Sequence, residues 1–108
     1  MKVMVPQRKE PQFDLNEPQA EAAAGMLAAL ANPRRLMILC SLVEGEKSVG
    51  ELNEKISLSQ SALSQHLARL RAEKLVDTRR ESQTIYYRIS EPVVHDLISQ
   101  LHARYCKK

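Results

Sequence analysis

A chain of 108 residues is one domain or one subunit of a dimer, and its core is small enough that an apolar surface shared with a second copy would add to its stability. Sixteen Lys and Arg against thirteen Asp and Glu leave a net charge of +3, compatible with a polyanionic partner but too slight to require one. No apolar run approaches the ~20 residues of a membrane span and no signal-peptide core follows Met1, so a cytoplasmic protein without a membrane partner is expected, with Cys40 and Cys106 reduced at rest.

Residues 1–16 carry Lys2, Arg8 and Lys9, are broken by Pro6 and Pro11 and show no sustained period, which reads as a flexible N-terminal arm ahead of one folded domain over 17–108. Glu17 to Ala31 is rich in alanine and places Ala23, Met26, Leu27 and Leu30 on one face of a first helix. Asn32-Pro33 pairs an N-cap with proline at the first helical position and opens a second helix, with Leu36, Ile38, Leu39, Leu42 and Val43 turned inward and Gly45 ending it. Ser48-Val49-Gly50-Glu51 has the form of a capping box and starts a short third helix that buries Val49, Leu52 and Ile56.

Ser59 caps a fourth helix whose Leu63, Leu67 and Leu70 form one apolar stripe, ended by Lys74. The opposite face carries Gln60, Ser61, Ser64, Gln65 and Ala68, where an ordinary solvated helix would carry Lys and Glu. Gln can pair bidentately with adenine, Ser bonds to either type of base, and Ala meets a thymine methyl, so this face suits the major groove of DNA. Arg69 and Arg71 at the far end suit phosphates, and His66 flanks the face, placed for a phosphate or for capping a neighbouring turn. The competing reading is a polar amphipathic helix that only packs.

Two stretches rich in β-branched and aromatic residues follow, Leu75 to Arg80 and Thr84 to Ile89, joined by Glu81-Ser82-Gln83 as a two-stranded ribbon. A fifth helix begins near Ser90-Glu91-Pro92 and runs to about Tyr105. Its Val93, Val94, Leu97, Ile98, Leu101 and Tyr105 make a stripe wider than one neighbouring helix needs, and the excess points to a dimer formed through the first and last helices. Nothing suggests an enzyme: Gly25, Gly45 and Gly50 form no phosphate loop, and neither G-x-S-x-G nor H-E-x-x-H occurs.

The order of three helices, reading helix, basic hairpin and terminal helix resembles a winged helix-turn-helix: a mainly α fold with five helices and a two-stranded wing. Leu30 to Leu39, Ser48 to Leu52, Ser59 to Arg71, Leu75-Val76 and Ile85 to Ile89 resemble the ArsR/SmtB family of bacterial repressors, over about residues 20 to 106. The resemblance implies a homodimer on an inverted-repeat operator in double-stranded DNA, its reading helices in successive major grooves about 34 Å apart and its wings on the flanking DNA. The expected DNA-binding residues are Ser59, Gln60, Ser61, Ser64, Gln65, His66 and Arg69 of the reading helix and Arg79, Arg80 and Gln83 of the wing. The wing arginines have a second reading, a solvated edge that deters strand pairing.

Members of the family differ in the signal that releases them. Metal-sensing branches use a Cys-x-Cys in the third helix, which here has no cysteine, or acids and histidines in the last helix. At those last-helix positions stand Glu91, Val93, Arg104 and Lys107, of which only Glu91 is a donor, so no metal site and no cofactor are expected. His95 and His102 share one face of the last helix near Cys106, where surface or interface roles are the ordinary ones for histidine. Cys40 and Cys106, 66 residues apart, form no C-x-x-C motif. In their contexts Leu39-Cys40-Ser41-Leu42 and Arg104-Tyr105-Cys106 they resemble the dithiol of the BigR-like branch, relative of HlyU, which answers to sulfide-derived persulfides.

That resemblance implies a redox-sensing pair, Cys40 and Cys106, bridged by reactive sulfur species as a disulfide or polysulfide. A direct disulfide needs Cα atoms within about 7 Å and each inserted sulfur adds about 2 Å, so separation would filter the oxidant. Arg104 and Lys107 would favour a Cys106 thiolate. Alternatives within the fold are a peroxide- or thiol-redox-responsive regulator, an anti-silencing regulator and a metal-responsive repressor; a constitutive architectural DNA-binding protein is the alternative of a different class.

Overall fold

A computed structural model of the protein describes residues 13–106. Most of the expected arm therefore lies outside the described residues, but its last residue is part of the fold: Asn16 caps the first helix, α1 (Glu17–Leu30), in a reciprocal capping box with Gln19. Along α1 only Ala29 and Leu30 are buried, while Leu27, expected on the inward face, is 55 % exposed. The second helix, α2 (Pro33–Val43), starts where Asn32 Oδ1 accepts from the amides of Arg34 and Arg35. It buries Ile38, Leu39 and Leu42 and leaves Leu36 and Val43 half-buried. Beyond it Gly45 turns the chain at φ +142°, a conformation glycine adopts without strain.

The capping box of the third helix, α3 (Val49–Lys55), is present, with Ser48 N–H donating to Glu51 at 2.7 Å and Glu51 N–H donating to Ser48 Oγ at 3.1 Å. Ser59 Oγ accepts from Ala62 N–H at 3.1 Å and caps α4 (Gln60–Ala72), which buries Leu63, Leu67 and Leu70. Lys74 is not the last residue of that stripe. The helix stops first, and Lys74 sits at φ 63° while its amide donates to Arg71 O and that of Leu75 to Leu70 O, the paired bonds of a Schellman cap.

The wing strands are β2 (Val76–Glu81) and β3 (Thr84–Ile89), antiparallel from Val76 opposite Ile89 to Glu81 opposite Thr84. The connection is thus two residues, Ser82-Gln83, with Ser82 at φ 61°, and Glu81 belongs to the strand rather than to the loop. The sheet also has three strands where two were expected. Lys47–Ser48 forms a short β1 against Tyr87 and Tyr86 of β3, giving the order β1-β3-β2. Its two residues are too few to show a period in sequence, and their partners lie far along the chain.

The last helix, α5 (Pro92–Tyr105), is capped by Glu91 and packs on α2 and β3. Its wide stripe divides: Val94 and Ile98 are buried and Leu97 is half-buried, while Val93, Leu101 and Tyr105 are exposed. Ile38, Leu39, Leu52, Leu63, Leu67, Leu70, Leu75, Val76 and Val94 are the largest fully buried side chains, so α2 to α5 and the root of the wing share one core, which Ala29 and Leu30 of α1 join. No single helix among the described residues is long and apolar enough to cross a membrane.

Candidate nucleic-acid interface and thiol pair

Burying three leucines on one side of α4 turns the rest of the helix outward. Gln60, Ser61, Ser64, Gln65 and Arg69 are all exposed, together with Ala68. Ser59, also exposed, accepts the cap bond from Ala62 N–H and lies 3.5 Å from Ser61 Oγ, so its hydroxyl sets the start of the helix and keeps its own O–H to donate. Asn53 Nδ2 donates to Leu58 O at 3.0 Å and fixes the turn between α3 and α4.

His66 is half-buried rather than projecting, and its Nδ1 lies 3.3 Å from Arg35 Nη1. Burial and the charges of Arg35 and Arg34 hold its pKa below the ordinary 6.5, so the ring is neutral at neutral pH. Arg35 also donates through Nε to Ala29 O near the end of α1. Burial and the charge of Arg69 lower the Arg35 pKa. The sequence assigns no role to Arg34 and Arg35; two arginines directly after Asn32-Pro33 are the available signal, but the contact of Arg35 with His66 spans 31 residues.

In the wing, Arg79 is engaged inside the chain. It bonds Glu46 at 2.8 Å and Glu81 at 2.9 Å, and its guanidinium sits 4.6 Å over the Tyr86 ring. These bonds raise its pKa well above the usual arginine range and lower that of Glu46. Arg88 pairs with Asp77 at 2.8 Å across the hairpin and holds the Asp77 carboxyl below its ordinary range. Arg80 is exposed and has no ion-pair partner among the described residues; Gln83 lies exposed in the turn at the tip.

The two cysteines are free thiols, Cys40 half-buried on α2 and Cys106 exposed as the cap residue ending α5. They line one recess of about 180 Å³ between those helices, walled by Leu36, Met37, Ile98, Leu101 and His102. A second recess of about 210 Å³, lined by Val43, Glu44, Ser99 and His102, also reaches Cys40. His102, one turn before Cys106, faces both recesses, a role its position in sequence did not distinguish from that of His95. Arg104 lies 5.0 Å over the Tyr105 ring, and Lys107 is outside the described residues. Among the described residues no group of three or more His, Cys, Asp or Glu is arranged to hold a metal ion, and Glu91 is occupied as a helix cap.

Residues 32–78 match the family model described as "Bacterial regulatory protein, arsR family". The transcriptional activator HlyU of Vibrio cholerae is 52 % identical over 91 residues, 84 % of each chain. This chain belongs to the ArsR family. A solved structure of HlyU from the same organism superposes with a TM-score of 0.81, over 84 % of this chain and 99 % of that one. The biofilm growth-associated repressor of Agrobacterium fabrum is 47 % identical over 90 residues, 83 % of this chain and 77 % of its own. The structure of the repressor BigR from Xylella fastidiosa, 42 % identical, superposes with a TM-score of 0.78 over 85 % of this chain and 94 % of that one. The winged helix-turn-helix of this ArsR-family chain, with a reading helix and a wing, is therefore that of the HlyU and BigR regulators.

Proposed function

We propose that this ArsR-family chain is a dimeric, sequence-specific DNA-binding repressor that reactive sulfur species release through Cys40 and Cys106. Its DNA-reading part rests on the outward face of α4, where short hydrogen-bonding side chains replace the charges of an ordinary solvated helix. Its dimer rests on Leu27 of α1 and Val93, Leu101 and Tyr105 of α5, large apolar side chains that the single chain leaves uncovered. Two reading helices about 34 Å apart would then meet successive major grooves of an inverted repeat, within the cytoplasm.

The observation that carries the sensing reading is the shared recess: residues 66 apart in sequence open onto the same space between α2 and α5. One thiolate attacks the terminal sulfur of a persulfide RSSH and expels RS⁻, leaving a protein persulfide. The other thiolate then attacks the inner sulfur, HS⁻ leaves, and a Cys40–Cys106 disulfide remains. If both cysteines are persulfidated first, one persulfide attacks the inner sulfur of the other, HS⁻ again leaves, and the product is a trisulfide. In each case the sulfur donor is the two-electron oxidant. The bridge draws the end of α5 onto α2, shifts the uncovered face of α5 and changes the spacing of the reading heads.

Cys40→Ser tests the proposal: it should bind DNA as the wild type does and fail to leave it on polysulfide treatment, with no bridged mass in the intact protein. Normal release by that variant would refute the dithiol mechanism. HlyU is named an activator and BigR a repressor, which gives a second reading, an anti-silencer that displaces another repressor. Transcription from the bound promoter in a purified system separates the two, because an anti-silencer leaves it undiminished.

A further inference from the structure

Where the start of α2 comes against the middle of α4, Arg35 meets His66, with Arg34 next to it in the chain and Arg69 three residues beyond His66 on the same helix. Arg35 is the hub, donating from Nε to Ala29 O and from Nη1 to His66 Nδ1 at 3.3 Å. A guanidinium only donates, so Nδ1 accepts, and the ring proton sits on Nε2 as a donor left over. The neighbouring cations are Arg34, whose charge reaches His66, and Arg69, whose charge reaches Arg35. None of the three arginines has an ion-pair partner among the described residues. Like charges gathered without a counter-charge repel, an arrangement that gains stability only when an anion enters it.

We propose that Arg34, Arg69 and His66 form an anion site that takes one backbone phosphate of duplex DNA, with Arg35 as the positioning residue that links the site to the end of α1. The inference deepens the DNA-binding reading and rests on it. Arg69 stands one turn beyond Gln65 on the exposed face of α4, so a phosphate held there flanks the base-reading side chains. Arg35 holds the imidazole by one arm of its fork and α1 by another, so a change in the attitude of α1 reaches the grip on DNA.

The test is the affinity of the full-length protein for a duplex from upstream of its own gene and for an unrelated duplex, across a range of KCl concentrations. Arg34 and Arg69 are exposed, so R34Q/R69Q should fold, which thermal unfolding checks. The double variant should lower the slope of log Kobs against log salt by about 0.9 per site, hence about 1.8 per dimer, and weaken both duplexes by the same factor. Arg35→Lys should keep most of the slope while changing the ¹⁵N signature of the His66 ring, a readout that lost packing alone would not move. An unchanged slope in a double variant that still binds would overturn the site and leave the DNA reading intact, as would loss confined to the upstream duplex. Absence of wild-type binding to any duplex would overturn both. Inorganic phosphate at constant ionic strength should compete no better than chloride; saturable binding of it at His66 without a change in DNA slope would mark a free-anion site and refute the DNA assignment.

Discussion

Arg79 and Arg80 are neighbours on β2, and alternation along the strand gives them different surroundings. Arg79 is held by Glu46, Glu81 and the face of Tyr86, whereas Arg80 stands exposed without an ion pair among the described residues. Arg80→Ala should therefore reduce the salt slope of DNA binding by about one per wing and weaken all duplexes alike. Arg79→Ala should leave that slope nearly unchanged and instead loosen the hairpin, seen as faster amide exchange in β2 and β3. Equal effects of the two on the slope would show that Arg79 leaves Glu46 to meet DNA. The sequence shows two arginines near a turn and cannot divide them, because Glu46 lies 33 residues earlier. His66 illustrates the same limit: its helical position is legible, but the Arg35 bond that turns it inward joins distant segments. The polar face of α4 was legible because helical spacing alone puts Gln60, Ser61, Ser64 and Gln65 opposite the leucines.

At the scale of elements, local chemistry sets most of the boundaries. Asn32, Ser48 and Ser59 each cap the helix that the sequence assigns to them, since a short side-chain oxygen before an apolar period satisfies orphan amides wherever it falls. The end of α4 is less readable, because Lys74 occupies the left-handed position that a helix C-cap usually gives to glycine. A side chain there costs about 1–2 kcal/mol, of which the greater freedom of unfolded glycine takes back part. Lys74→Gly should thus raise unfolding stability by about 0.5–1 kcal/mol without altering DNA affinity, measured by chemical denaturation. A loss of stability would mean that the lysine side chain contributes an interaction that outweighs the strain of its backbone. β1 escaped the sequence reading for a related reason: two residues become a strand only because β3 lies beside them.

For the whole molecule, the uncovered apolar side chains of α1 and α5 and the shared recess of Cys40 and Cys106 both involve α5, through which the proposed dimer would couple sensing to DNA binding. Leu27 lies outside the thiol recess and the reading face, so Leu27→Glu isolates the dimer contact. Light scattering should find the variant monomeric, with DNA affinity at least ~10²-fold weaker because one head no longer raises the effective concentration of the other. A dimer of unchanged affinity would place the interface elsewhere. The width of the α5 stripe made an excess of apolar surface legible, although which residues stay open was not, because α2 decides what it covers.

The most direct measurement is fluorescence anisotropy of the reduced protein on a duplex from upstream of its own gene, at one fixed salt concentration, before and after polysulfide and, in parallel, peroxide. Tight, sequence-dependent binding is expected that polysulfide abolishes and a reductant restores, with release absent in Cys40→Ser. Binding that neither reagent changes would contradict it and leave a constitutive DNA-binding protein, while equal release by peroxide would replace sulfur sensing with a general thiol switch.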